Sequence, residues 1–398
     1  MRAIKLLHKI LLNSAPNIHR VRLAALMAGV ESLLSGSFLT VTALGRRLNS
    51  QALTKHNIKR MDRLLSNPHL YNERADLYRA LCHHLIGNQS QPVVLVDWTD
   101  IVERERLMLI RAALAVDGRA IPIYEGVYPL KQYNAPRTHR KFLTELKALL
   151  PPDCRPVIVT DAGFRGPWFK AVEQLGWHWI GRIRNCVNYR LHSRYQWRRT
   201  EDLYYRANRK IRYLGPAELS SRHPYDCYLY LYKKPRQGRK ANRSVVHSVR
   251  HSNCCYFRKQ QKDPWLIATN LSPEDFSPKR IIHLYGKRMQ IEECFRDLKS
   301  DRFGFGFTLT RSKNTSRLNI LLLIAALATL CLWWVGIYAK QQNWQRHFQA
   351  NSIKNKNVLS IPFLAMAILS RNDYVITMTE FIGALHALTE YIYEQNNG

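Results

Sequence analysis

Apolar and polar positions follow two regimes along the chain. Up to residue 90 they recur at helical spacing. Lys55–Leu65 puts Ile58, Met61, Leu64 and Leu65 on one side and Lys55, Lys59, Arg60 and Arg63 largely elsewhere. With a shorter helix over Thr42–Leu48 and a stop at Asn49-Ser50, the pair suits a DNA-binding helix-turn-helix with a basic second helix. An ordinary amphipathic pair with a solvated basic face fits it equally. From residue 92 dense apolar runs take over: PVVLVDW (92–98), RLMLIRAALAV (106–116) and RAIPIYEGVYPL (119–130) read as buried strands. Asp117-Gly118 is the hairpin signal between the second and third.

A helix over Thr138–Leu150, a strand over 156–160, a helix from Pro167 and a strand over 177–184 follow. The order β-β-β-α-β-α-β predicts a mixed α/β sheet with a leading meander, as in the ribonuclease-H-like fold. Residues 186–263 interrupt it with a Tyr- and Arg-rich β module. From Leu231 to Lys262 that module holds ten Lys/Arg, among them Lys233, Lys234, Arg236, Arg239 and Lys240, and no Asp or Glu. PWLIATN (264–270) is another strand, and a long helix starts near Pro278. The expected division is a helical domain at 1–90, a catalytic domain at 91–185 plus 264–339, the insertion at 186–263, and a helical region at 340–398. Ile320–Tyr338 is 19 residues without a charge. That length fits a membrane span, but basic residues flank both ends, and a helix buried on all sides at the centre of a soluble core is the expected reading.

Charge sharpens this picture. The 398 residues carry 61 Lys+Arg against 29 Asp+Glu, a formal charge of +32, while 46% are hydrophobic. The chain is therefore folded rather than disordered, and its surplus serves a polyanion. Eight scattered cysteines without any C-x-x-C indicate neither a disulfide framework nor a zinc ribbon, and His247, His251, Cys254 and Cys255 are poorly spaced for zinc. Lys5, His8 and Lys9 break any signal-peptide core, so a reducing cytosol is expected. No P-loop or G-x-G-x-x-G points to a nucleotide cofactor, and Gly304-Phe305-Gly306 reads as a turn.

Two carboxylates stand at the ends of buried strands, Asp97 after Val93–Val96 and Asp161 after Val157–Thr160. Such positions are costly unless paired or bound to a cation, although either residue alone is also a common turn former or cap. On a helix over 278–300, Tyr285, Arg288, Glu292 and Lys299 fall within about 60° of one another at about 100° per residue. This is a polar, long-armed face. It is either a solvated salt-bridged surface or a third carboxylate, Glu292, set to join the other two around hard divalent cations. Glu293 is the competitor, displaced by about 100°.

Tyr285-x2-Arg288-x3-Glu292-x6-Lys299 resembles the YREK signature of bacterial insertion-sequence DDE transposases of the hairpin-forming cut-and-paste group. VVLVDWTD (93–100) and VIVTDAGFRGPWF (157–169) are similar to its two acidic motifs, and the resemblance covers nearly the whole chain. It implies that Asp97, Asp161 and Glu292 bind two Mg²⁺ ions, with Mn²⁺ as a substitute, for nicking, hairpin formation, hairpin opening and strand joining. It also implies that Tyr285, Arg288 and Lys299 contact DNA phosphates, and that the synaptic form is a homodimer on double-stranded DNA, in the bacterial cytoplasm, with no membrane. Trp265 and Met289 are candidates for a base-stacking platform and a wedge, against plain core packing. The competing functions are a nuclease or resolvase of the same fold that never joins strands, and a non-catalytic basic DNA-binding protein.

Overall fold

In the computed structural model, residues 2–102, 105–184, 187–235, 263–353, 356–371 and 373–397 are described. Arg236, Arg239 and Lys240, with His247, His251, Cys254 and Cys255, lie outside the described residues. Contacts divide the chain into two compact units, Met1–Pro156 with Lys287–Gly398, and Val157–Gly286.

The first unit opens with α1 (Arg2–Ser14), α2 (Arg20–Leu34), α3 (Val41–Arg46), α4 (Thr54–Leu65) and α5 (Pro68–Ile86). Their starts are set by local chemistry. Thr40 Oγ1 accepts from Ala43 N at 3.1 Å at the head of α3, and Asn67 Oδ1 accepts from Leu70 N at 3.0 Å ahead of Pro68. α4 buries Met61, Leu64 and Leu65 and exposes Lys55, Lys59, Arg60 and Arg63. α3 crosses it at Gly45, where an added Cβ would stand 2.5 Å from the Ile58 Cα.

Three antiparallel strands come next, β1 (Val93–Val102), β2 (Leu107–Ala115) and β3 (Ala120–Pro129), in the order β3-β2-β1, with the Asp117-Gly118 turn between the last two. Their register places Asp97 opposite Arg111 and Arg111 opposite Glu125. Directly paired residues share a face, so a row of alternating charge crosses the meander. α6 (Pro136–Leu149) buries Phe142, Leu143, Leu146 and Leu149.

The second unit begins with β4 (Val157–Thr160), α7 (Gly166–Glu173) and β5 (His178–Ile183), β4 and β5 being parallel. The chain thus runs β-β-β-α-β-α-β, a mixed α/β fold as expected. β6 (Asn188–Leu191), β7 (Arg198–Arg199), β8 (Arg212–Leu219) and β9 (Tyr225–Tyr232) follow, then β10 (Trp265–Thr269) and α8 (Pro278–Gly286). Within this unit the order is β4-β5-β10-β9-β8-β6-β7. β9 pairs directly with β10, so the Tyr-rich module continues the same set of strands. Asn270 clamps the start of β5 by accepting from Trp179 N at 2.9 Å and donating to Trp177 O at 3.2 Å.

The helix expected over 278–300 is two helices. α8 ends at Gly286, and α9 (Met289–Lys299) starts after a turn at Lys287-Arg288. The remainder of the first unit is α10 (Thr315–Gln341), α11 (Ile361–Leu369) and α12 (Met378–Asn397). Within Ile320–Tyr338 every residue except Thr329 is buried. α2, α5, α11, α12 and β3 pack around α10, so the long apolar run is the core helix of this unit. Although it is long and apolar enough to cross a membrane, 94% of its most apolar window is buried within the protein.

Gly45→Ala tests the α3–α4 crossing. The alanine gains about 1 kcal/mol of helix propensity, but its Cβ meets backbone rather than a flexible side chain. Net destabilisation of about 1–3 kcal/mol is expected in denaturant unfolding.

Candidate active site

β1 presents Asp97 through strict alternation. The buried Val93–Val96 run anchors the strand. Trp98 is held by a hydrogen bond from its Nε1 to His139 Nε2 at 3.1 Å and by edge contacts with Tyr128 and Tyr133. Burial pushes the His139 imidazole down to about 4, so it stays neutral and accepts that bond at neutral pH. With Trp98 fixed, Asp97 and Thr99 take the other face, and Asp97 Oδ1 accepts from Trp98 N at 2.7 Å.

α9 lies over this meander. Arg288 Nη1 is 2.7 Å from Glu292 Oε1 and 3.7 Å from Asp97 Oδ2, so two carboxylates from separate elements converge on one guanidinium. The Arg288 side chain is 15% exposed and that of Glu292 45%. One helical turn separates Arg288 from Glu292, the spacing that brings side chains together. At the other end of α9, Lys299 Nζ donates to Thr99 Oγ1 at 2.7 Å and stands 3.6 Å from Asp100 Oδ1. Burial holds the Lys299 ammonium below its ordinary range, with Asp100 opposing the shift. Glu293 is engaged elsewhere, with Arg296 and, at 3.3 Å, with Arg119. Met289 is 38% exposed, and its Sδ accepts from Arg288 Nη2 at 3.1 Å.

In the second unit, Asp161 ends β4 and its Oδ1 accepts from Gly163 N at 2.8 Å, the bond of an Asx turn. Tyr285 is buried in α8, with its ring 4.8 Å from that of Trp265 in an edge arrangement. Lys234 Nζ lies 5.4 Å from the Trp265 ring centre. Trp265, Tyr285 and Lys234 therefore form one basic aromatic cluster. Lys233 is exposed just beyond β9.

The first unit thus brings Asp97, Arg288 and Glu292 together and sets Lys299 on Thr99, while Asp161, Tyr285 and Trp265 belong to the second unit. Oxygen donors on two carboxylates aimed at a shared positive centre suit a hard divalent cation. Among the described residues, no three acidic, histidine or cysteine side chains form a group able to hold a metal ion.

Sequence reasoning overlooked four residues around α9. Gln290 Oε1 accepts from Val116 N at 2.9 Å, and Arg119 Nε donates to Asp297 at 2.6 Å. Arg111 pairs with Glu125 at 2.6 Å in full burial. A lone arginine inside LMLIRAALA was the available signal, since charged residues are almost never buried unpaired. Lys287, in the turn before α9, is 6% exposed, and its Nζ has no hydrogen-bond partner among the described residues. Burial pulls this ammonium down to about 8, with Asp117 opposing.

The family described as Transposase DDE domain matches residues 88–329, a span that contains Asp97, Asp161 and Glu292. No curated protein matches the chain. A solved cryo-EM structure of the piggyBac transposase synaptic complex with hairpin DNA is similar at a TM-score of 0.40 and 10% sequence identity, covering 96% of this chain and 76% of that one.

Lys287 yields a pH prediction. Its folded value, about 8, lies below that of the unfolded chain, so between pH 8 and the ordinary lysine range the unfolded chain holds a proton the folded one has released. Stability therefore rises with pH across that window. Lys287→Met should raise stability at pH 7 by roughly 1–3 kcal/mol, the cost of an unsatisfied buried group. It should also flatten the rise above pH 8, as read by thermal melting from pH 7 to 10.

Proposed function

The chain belongs to the transposase DDE domain family, and we propose that it is a cut-and-paste DNA transposase of the bacterial insertion-sequence kind. In this reading it binds the terminal inverted repeats of its element, frees the element through a DNA hairpin and joins the 3′ ends to target DNA. The observation that carries the reading is the convergence of Asp97 and Glu292 on Arg288, at 3.7 and 2.7 Å, inside the matched span.

Asp97, Asp161 and Glu292 would hold the divalent cations. Two Mg²⁺ ions, or Mn²⁺ in their place, would supply Lewis-acid activation of the attacking water or 3′-hydroxyl and stabilisation of the leaving oxygen in an in-line phosphodiester displacement. The protein's own side chains do the rest. Arg288, already aimed at the carboxylates, turns its fork to a phosphate beside the scissile bond, where a planar guanidinium donates two parallel bonds. Lys299 adds a point charge and Tyr285 a hydroxyl donor, which completes a Tyr-Arg-Glu-Lys signature. Like charge on phosphates and carboxylates would otherwise repel, and these cations offset that repulsion.

α4 reads the transposon end. Its apolar side is buried and Lys55, Lys59, Arg60 and Arg63 are exposed on the other, as a recognition helix requires. Lys233 and Lys234 track the DNA backbone, together with Arg236, Arg239 and Lys240. Trp265, half-buried with Lys234 close to its ring, receives a base leaving the stack, and Met289 acts as the wedge, both of which ease the sharp bend of a hairpin. Synapsis of two ends makes the working form a homodimer with DNA, in the bacterial cytoplasm.

With a duplex carrying the element's own end, Mg²⁺-dependent nicking should fall at least about a thousandfold in Asp97→Ala, Asp161→Ala and Glu292→Ala while gel-shift affinity stays within about twofold. Glu293→Ala should lose far less than these, since its carboxylate pairs with Arg119 and Arg296 rather than with Arg288. Retained nicking removes that residue from the site, and nicking without any joined product in the unaltered chain points to a nuclease instead.

Trp265→Ala should nick normally yet accumulate about tenfold less hairpin, the cost of one lost stacking contact. Normal hairpin yield on a sequencing gel returns Trp265 to core packing.

A further inference from the structure

The side of α9 turned from Glu292 is fastened to the β2–β3 hairpin by polar contacts that the transposition reading does not use. Gln290 bonds Val116 at both N and O (2.9 and 3.3 Å), and Asp297 and Glu293 pair with Arg119 at 2.6 and 3.3 Å. Arg111 goes deepest. It is 1% exposed in the middle of the apolar β2. Its Nε donates to Glu125 at 2.8 Å, its Nη1 donates to Cys294 Sγ at 3.1 Å, and its guanidinium lies 4.9 Å from the centre of the Phe295 ring. Glu125, fully buried, also accepts from Tyr78 Oη at 3.1 Å.

Stability alone is a poor reason for this pair. Desolvating two charges consumes most of what their attraction returns, and well-packed apolar residues of equal volume serve a core as well or better. Location supplies the reason. Arg111 is the in-register partner of Asp97 on one side and Glu125 on the other, on the same face. From that row it reaches α9 at Cys294 and Phe295, two and three residues past Glu292. One side chain therefore links the strand pair that presents Asp97 to the helix that presents Glu292.

We propose that Arg111, locked by Glu125, is a positioning residue that fixes α9 over the Asp97 row and so sets Glu292 where it can share a cation with Asp97. The proposal rests on the reading of Asp97 and Glu292 as cation ligands. A guanidinium suits the task because its planar fork accepts one orientation, whereas an apolar contact tolerates sliding. Outer contacts that orient ligands in this way are worth about tenfold or more in metal affinity.

The test uses the full-length chain bound to an end duplex. Arg111→Met combined with Glu125→Gln removes both charges together, so no buried charge is left unpaired. Mn²⁺ is titrated while electron paramagnetic resonance follows the free ion, with thermal melting and gel shift alongside. The double variant should melt cooperatively and bind DNA normally, bind Mn²⁺ about tenfold more weakly, and nick with a Mg²⁺ midpoint raised by a similar factor. Arg111→Lys with Glu125 retained should not restore the affinity, because an ammonium lacks the fork. A folded double variant with unaltered Mn²⁺ affinity overturns the proposal.

Should the double variant fail to melt cooperatively, Cys294→Ala with Phe295→Leu leaves the ion pair intact and removes its grip on α9. The same weakening is then expected, and unchanged affinity overturns the proposal. Asp97→Ala and Glu292→Ala run alongside. If neither alters Mn²⁺ binding, the ligand reading itself fails and takes the proposal with it. If both do while Arg111 does not, only the positioning role is lost.

Discussion

Carboxylates can be gathered at one point only where positive charge stands among them, and that constraint governs the arrangement around α9. Arg288 lies between Asp97 and Glu292, Lys299 sits by Asp100, Arg119 by Asp297 and Glu293, and Arg111 by Glu125. Half-buried pairs of this kind are screened less than surface ones, so each cation has a large say in where its partner rests. Arg111–Glu125 lies within the meander, whereas Arg288–Asp97, Lys299–Asp100 and the pairs of Arg119 with Asp297 and Glu293 run between the meander and the α9 segment. Everything the transposition reading asks of Glu292 depends on α9 being held at that register.

The strands were the most legible part of the chain. Buried strands are written as continuous branched apolar runs, and the expected 92–98, 106–116 and 119–130 correspond to β1, β2 and β3, with Asp117-Gly118 turning the last two. The first helix pair was legible as well, since the expected Thr42–Leu48 and Lys55–Leu65 correspond to α3 (Val41–Arg46) and α4 (Thr54–Leu65). The continuity of 278–300 was misread, because periodicity arithmetic assumes an unbroken helix and the chain turns at Lys287-Arg288. The common face assigned to Tyr285 and Glu292 does not follow from a broken helix, whereas Arg288 and Glu292 lie at the single-turn spacing and do meet.

The site was legible in residue types more than in partners. A carboxylate after a buried strand is visible in sequence, and so is a tyrosine, arginine, glutamate and lysine series. The Arg111–Glu125 pair was not, because the two residues are brought opposite each other by the register of a hairpin, and a single arginine hardly dents the apolar average of its strand. Asp161 bears out the turn-forming chemistry of strand-end aspartates, since its carboxylate accepts from Gly163 N. An Asx bond occupies one lone pair of one oxygen, so it leaves the carboxylate other positions from which to donate.

The two sides of α9 differ in a way that helix packing alone does not require. Residues 290, 293, 294 and 297 recur at the spacing that usually carries an apolar stripe, yet three of the four meet the hairpin through charged or amide groups. An apolar stripe would give more stability for the same area, because buried pairs return little after desolvation. What the polar stripe gives instead is direction. An apolar contact loses little when a helix rotates or slips slightly, while a guanidinium fork or an amide bonded at both ends loses its hydrogen bonds within a few tenths of an ångström. A helix that only filled a core would have no use for that sensitivity. A helix that must hold one carboxylate at a set distance from another does.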